Sequence, residues 1–270
     1  VLKKNKYTLW VVSLSFVLLF IVCIPFVPLI LMSFSVHWSW PDLFPSGYDL
    51  RAWEYVFLSN TSIWNAVWMT VVIAFVVTFI NILLSIPAAN AIARFKWKGK
   101  AWIELLFYAP LIVPPLITSM GIYLDFLRYG LIGTVTGVIL AHIAPTLPYM
   151  IRALVISFQT LSFDWENQAA TLGANGWQRL RYVVIPHLVP GLIVGCSLSM
   201  LVSFSQYIVT LLIGSGKVQT IPVLMFPYIS GGDQAIGSVF IMVYTIMTLL
   251  SLFFMQFILT FYYRRKGIPL

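Results

Sequence analysis

Six long apolar runs, separated by short polar or aromatic stretches, dominate the chain: residues 8–34, 65–93, 101–124, 131–158, 188–213 and 235–263. A bilayer's hydrocarbon core is about 30 Å thick, so a helix needs roughly 20 apolar residues to cross it. Every run reaches that length, and the pattern predicts six spanning helices. Lys3, Lys4 and Lys6 precede the first. That run is too long for a signal peptide and lacks a small-x-small cleavage site, so it reads as an uncleaved span, with a kink expected near Pro25 and Pro28. Pro110, Pro114 and Pro115 break up the third run, and Pro145 and Pro148 interrupt the fourth. Prolines free backbone carbonyls that need other partners in lipid, so these helices should face protein or a water-filled route.

Polar and small residues inside the runs mark inter-helix faces or a pathway. Asn81 lies near the middle of the second span. It serves helix packing or a pore, and packing is the commoner answer. Gly133, Gly137 and Ala141 recur at four-residue spacing, as do Gly191 and Gly195, which permits close helix contact. Ser199, Ser203 and Gln206 give the fifth span a polar flank, with Tyr149 and Tyr207 as further path candidates. The rival reading of that flank is interhelical hydrogen bonding. His142, deep in an apolar stretch, belongs to helix packing or touches the transport path.

The segments between runs set the orientation. Residues 37–60 are aromatic and turn-rich, with Trp38 and Trp40 suiting an interfacial belt and residues 49–58 a short surface helix. Residues 214–233 hold a semi-apolar piece, 221–229, that dips into the interface or forms a short helix. One set of alternate segments carries twelve basic residues: Lys3, Lys4, Lys6, Arg94, Lys96, Lys98, Lys100, Arg179, Arg181, Arg264, Arg265 and Lys266. The other carries Arg51, Arg128 and Lys217. Basic residues accumulate on the cytoplasmic side, so both termini are expected there.

One wet element stands out in this apolar frame. Residues 159–187 form a hairpin containing Asp164 to His187, DWENQAATLGANGWQRLRYVVIPH. Ser162 or Asp164 caps a first short helix, and Asp164 and Glu166 put negative charge in its first turn. Trp165, Ala169 and Leu172 share one face. Gly173 stops that helix, Asn175-Gly176 turns the chain, and a second helix runs from Trp177 to Val184, with Pro186 expected to close it. The count of basic residues places the hairpin in the cytoplasm, as a docking element or as a loop folded on the bilayer surface.

Composition confirms the solvent and excludes several functions. The 270 residues are 60% apolar and 9% charged, with mean hydropathy +0.94. Soluble domains carry about a quarter charged residues. A single all-α integral membrane domain over residues 1–270 is expected. The net charge of +8 sits at the ends of spans, which argues for topology and against nucleic acid. Cys23 and Cys196 lie in apolar runs, three histidines show no paired spacing, and no metal site or disulfide framework is expected. No phosphate-binding G-x-x-x-x-G-K-S/T loop occurs, so the chain is not expected to hydrolyse nucleotide. No catalytic residues and no proton relay of intramembrane acids are expected either.

The block Asn167 to Gly191 resembles the cytoplasmic loop signature of inner-membrane permease subunits of binding-protein-dependent ABC importers, the MetI-like permeases. That pattern runs E-A-A, three residues, G, nine residues, I or V, one residue, an apolar residue, then often P. Ala169 matches the second alanine, Gly173 the glycine, and Val183, Ile185 and Pro186 the closing positions. The opening departs: Asn167 occupies the glutamate place and Gln168 the first alanine place, with Glu166 one position early. The resemblance extends over nearly the whole chain and is greatest to the second permease of spermidine/putrescine-type importers; relatives of that branch serve phosphonates, ferric iron and other solutes.

The resemblance implies a six-span MetI-like permease of the bacterial inner membrane, enclosing the pathway with a second, different permease subunit. Two ATPase subunits would dock underneath, with ATP and Mg bound there and no cofactor on this chain. An extracytoplasmic solute-binding protein would deliver cargo, with a polyamine as the leading expectation. Tyr123, Tyr149, Tyr207 and Tyr244 could offer cation–π contacts to such a cargo. Asp164, Glu166, Asn167, Ala169, Ala170, Leu172, Gly173, Ala174, Trp177 and Pro186 would form the ATPase-coupling surface. A secondary transporter or channel component, and a structural or assembly subunit, are the alternatives.

Overall fold

A computed structural model describes residues 2–36, 38, 42 and 44–265, with side chains described between residues 10 and 264. The expectations placed on Trp40 and Lys266, and on the side chains of Lys3, Lys4, Lys6 and Arg265, lie outside the described residues. The protein is all-α and multi-spanning. Five helical stretches among the described residues are long and apolar enough to cross a bilayer: Trp10–Ser33, Ser62–Arg94, Val135–Thr160, Gly176–Phe204 and Gln234–Arg264. A sixth arises where Lys100–Ile112 and Pro115–Arg128 are taken together across a bend of 104°. The described residues fall into two compact units, residues 1–63 with 225–245 and residues 64–224 with 246–270.

In the first unit, α1 (Leu2–Cys23) and α2 (Phe26–Ser33) are separated at Ile24 and Pro25, as the prolines predict. From Trp10 to Val22 every side chain of α1 is exposed. An apolar helical stretch left exposed over these described residues has lipid or another subunit as its environment. Then α3 (Arg51–Glu54) continues as a π turn, Tyr55–Ser59. Trp53 stacks between Phe34 (5.6 Å) and Phe57 (5.9 Å). Arg51 pairs with Asp233 at 3.0 Å, and the Tyr55 and Tyr228 hydroxyls lie 3.0 Å apart.

The second unit carries the functional elements: α4 (Ser62–Arg94), α5 (Lys100–Ile112), α6 (Pro115–Arg128), α7 (Val135–Thr160), α8 (Phe163–Thr171), α9 (Gly176–Arg179), α10 (Ile185–Phe204) and α11 (Tyr207–Gly214). α12 (Ile221–Gly231) and α13 (Gln234–Arg265) complete the chain. α5 ends at Val113, held extended at φ −79° and ψ 127° because the following Pro114 disfavours helical geometry before it. α7, by contrast, runs unbroken through Pro145 and Pro148, so those residues do not interrupt the fourth span. Gly133 belongs to the turn before α7, at φ +73°, and not to a helical small-residue face. The fifth span breaks at Ser205 and Gln206, between α10 and α11.

α7 and α10 pack closely against each other. A Cβ on Gly191 would stand 2.0 Å from Ser157 Oγ and 2.9 Å from the Ala153 carbonyl oxygen. On Gly195 it would stand 2.5 Å from Met150 Sδ. Two missing side chains therefore set the distance between these helices. Met150, Ile151, Leu154, Phe158 and Leu188 are buried around that seam, together with Ala89 and Ile92 of α4.

Candidate functional site

The hairpin is built from local hydrogen bonds that stiffen both of its helices. Ser162 caps α8, its Oγ accepting from the Asp164 amide at 3.1 Å and donating to Asp164 Oδ2 at 2.8 Å. At the other end, the Gly173 amide donates to the Ala170 carbonyl (2.9 Å) and the Ala174 amide to the Ala169 carbonyl (3.0 Å), with Gly173 at φ +88°. This pair of crossed bonds is a Schellman stop, which needs a left-handed residue where glycine stands. Asn175 and Gln178 then form a capping box: the Gln178 amide donates to Asn175 Oδ1 at 2.9 Å, and the Asn175 amide to Gln178 Oε1 at 2.8 Å. A π turn, Leu180–Val184, leads straight into α10, so Pro186 does not close the helix but sits in the first turn of α10, where a missing amide costs little, and its carbonyl accepts from the Tyr262 hydroxyl at 2.7 Å.

The two faces of α8 differ sharply. Trp165 and Leu172 are 61% and 89% exposed, and Trp177 is 64% exposed beyond the turn. Asp164, Asn167, Ala170 and Gly173 are also exposed, whereas Ala169 and Ala174 are half-buried. Glu166 points the other way. It pairs with Arg94 at the end of α4, where the side chains retain only 19% and 6% of their accessible surface. Arg94 also donates to the Leu161 carbonyl at 2.9 Å and lies over the Phe158 and Phe163 rings, 5.2 and 4.5 Å from their centroids. One guanidinium thus joins α4, the end of α7 and α8.

The polar residues of the predicted path are drawn together inside the second unit. Asn81 Nδ2 donates to Thr146 Oγ1 (2.7 Å) and Ser199 Oγ (2.8 Å). Thr210 gives its one hydroxyl proton to the Gln206 carbonyl (2.6 Å), so it accepts from His142 Nε2 at 2.9 Å. His142 Nδ1 is then the acceptor for the Ser203 hydroxyl, 3.0 Å away. Asn81, His142, Ser199 and Ser203 are all buried, and Gln206 nearly so. As they stand, Ser199 and Ser203 make interhelical hydrogen bonds, the rival reading of that flank. Tyr149 and Tyr207 are half-buried. Sequence reasoning missed Arg94, Thr146 and Thr210 as parts of these sites. Their partners lie dozens of residues away, and no local spacing signals them.

A set of apolar spanning helices carrying one capped, polar hairpin defines a multi-pass membrane protein. Residues 81–267 match the family described as binding-protein-dependent transport system inner membrane component, and the chain belongs to that family. It is therefore a multi-pass inner-membrane protein, a non-catalytic permease subunit of an ABC importer. It is 30% identical over 244 residues to the putative 2-aminoethylphosphonate transport system permease protein of Salmonella typhimurium, covering 89% of each chain. It is 27% identical over 189 residues to the molybdenum transport system permease protein of Escherichia coli K12, covering 62% of this chain and 82% of that one. Among solved structures, a bacterial ABC transporter that imports the acidic polysaccharide alginate shares the fold, with a TM-score of 0.69, 17% identity and coverage of 91% and 94%. Among the described residues, no group of three or more His, Cys, Asp or Glu side chains could hold a metal ion.

Proposed function

We propose that the hairpin is the ATPase-coupling element of this permease, with Trp165, Leu172 and Trp177 seated in one ATPase subunit. The observation that carries this reading is the division of α8, whose apolar side chains face outward while its charged Glu166 is held by Arg94. Bulky side chains left exposed on a rigid, polar element are the chemistry of a docking face. Asp164, Asn167, Ala169, Ala170, Gly173, Ala174 and Pro186 shape and hold that face. Closure of the ATPase pair on ATP displaces α8, and the Arg94–Glu166 pair hands the displacement to α4. Two such ATPase subunits, a second and different permease, and an extracytoplasmic binding protein complete the machine, with both termini of this chain in the cytoplasm. Tyr149 and Tyr207 retain the path role.

For cargo we favour a small phosphonate-type solute over the polyamine suggested by the sequence resemblance. The 2-aminoethylphosphonate relative supports this, over 89% of both chains. The test is ATPase stimulation in the reconstituted importer with its binding protein. Stimulation by 2-aminoethylphosphonate and none by spermidine is expected; the reverse would restore the polyamine. Loss of ATPase subunits on changing Leu172 and Trp165 to serine together would support the docking face, and full retention would refute it.

A further inference from the structure

Beneath the hairpin lies a half-open cavity of about 330 Å³, bounded by the last turns of α4, by Phe158 of α7 and by the chain from Gly176 to Val184. Its polar lining is Asn90, Arg94, Glu166 and Arg179. Glu166 neutralises Arg94, whereas Arg179 makes no side-chain hydrogen bond or ion pair among the described residues. Among the described residues eight buried side-chain polar atoms lack a hydrogen-bond partner, and three of them belong to residues that line this cavity: Asn90 Oδ1, Arg94 Nε and Arg179 Nε. Buried groups of this kind cost stability unless something bonds to them. Arg94 is itself more than nine-tenths buried, so its free Nε–H has little access to bulk solvent.

The three orphans specify a ligand. Two guanidinium N–H groups want acceptors, and the cavity has one positive charge in excess. The Asn90 carbonyl oxygen wants a donor. A phosphate group of one or two negative charges, carrying a hydroxyl on itself or on its ester, offers acceptors to guanidinium groups and a donor to the Asn90 side chain. We propose that this cavity is a phosphate-binding site. Either the hydroxylated headgroup of an anionic inner-leaflet lipid or free phosphate has the required chemistry. The position at the basic end of α4 suits headgroup depth, and the Phe158 and Val184 wall suits a headgroup's carbon skeleton. Occupancy would fasten Arg179 of the hairpin to the same anchor as Arg94. The site is independent of which cargo crosses the membrane.

The test uses the full chain in a zwitterionic detergent, followed by native mass spectrometry and thermal unfolding. Phosphatidylglycerol, phosphatidylcholine and inorganic phosphate are the probes. One phosphatidylglycerol or one phosphate should be retained per chain and phosphatidylcholine should not. Displacement of the lipid by millimolar phosphate marks a site for the bare anion, and resistance to it marks a headgroup site. Arg179→Gln should weaken binding about tenfold, the worth of a charge-assisted hydrogen bond, and Asn90→Leu should weaken it as well. Exposed Arg181→Gln is the control and should bind as the parent does. Absence of binding by either anion, equal retention in Arg179→Gln, or equal loss in Arg181→Gln would overturn the site.

Discussion

Arg94, the last residue of α4, holds Glu166 of α8 from 72 positions away in the chain, and the pair is nearly closed off from solvent. The loop signature places a glutamate at position 167, where this chain has Asn167. Its acidic neighbour is turned inward and ties the hairpin to a spanning helix. The departure from the pattern therefore falls where the structure uses the carboxylate as a root.

Glu166→Gln removes the charge that balances Arg94 and leaves a buried guanidinium without a counterion. Breaking one side of such a pair costs about 3 kcal/mol, lessened here because Glu166 is partly exposed. Hydrogen exchange should rise across residues 163–171 while the middle of α4 stays protected. Uptake should fall in parallel. Unchanged exchange in α8 would show that the pair is not its root.

Gly173 has open space around its missing Cβ, with nothing within 4 Å, so its constraint is conformational. Gly173→Ala should destabilise the turn by about 1 kcal/mol, the cost of a side chain in left-handed geometry, and Gly173→Asn by less. Gly173→Trp should insert into the membrane normally yet lose ATPase co-purification and uptake. Normal co-purification in that variant would count heavily against the docking assignment.

Gly191→Ala meets the Ala153 carbonyl oxygen at 2.9 Å, a backbone atom that cannot rotate away, and should cost about 1–3 kcal/mol in thermal unfolding. Gly195→Ala meets chiefly the flexible end of Met150 and should cost less. Gly121→Ala, with nothing within 4 Å, should be neutral or slightly stabilising. Equal effects at all three positions would mean that α7 and α10 do not set each other's distance.

Orientation is checked with single cysteines in a background lacking Cys23 and Cys196. In cells that make the permease without its ATPase subunits, Trp177→Cys, at an exposed position, should react with an impermeant maleimide only after the cells are opened. Leu58→Cys, also exposed, should react in intact cells. Reaction of Trp177→Cys from outside would put the hairpin on the wrong face for an ATPase.

The hairpin's local architecture was legible because it depends on neighbours. The Ser162 cap, the Gly173 stop and the Asn175-Gly176 turn are each satisfied within five residues. The apolar stripe of Trp165 and Leu172 was legible too, but its direction was not. In a water-soluble protein such a stripe turns inward; here it faces out and Glu166 turns in. Periodicity reports which residues share a face and nothing about what that face meets. The polar flank illustrates the same limit. Ser199 and Ser203 could have lined water, and they instead bond Asn81 and His142, 118 and 61 residues earlier in the chain.

The sequence by itself determined the number of apolar runs, their membrane solvent, and the capped hairpin, because length, hydropathy and short-range hydrogen bonding act within a few turns of chain. Tertiary structure alone decided that Arg94 ties the hairpin to α4, that Asn81 reaches Thr146 and Ser199, and that α5 and α6 meet at 104° while Pro145 and Pro148 leave α7 intact. Those outcomes depend on which helices pack together. A proline or a buried amide states a need, and only the neighbouring helix determines how it is met.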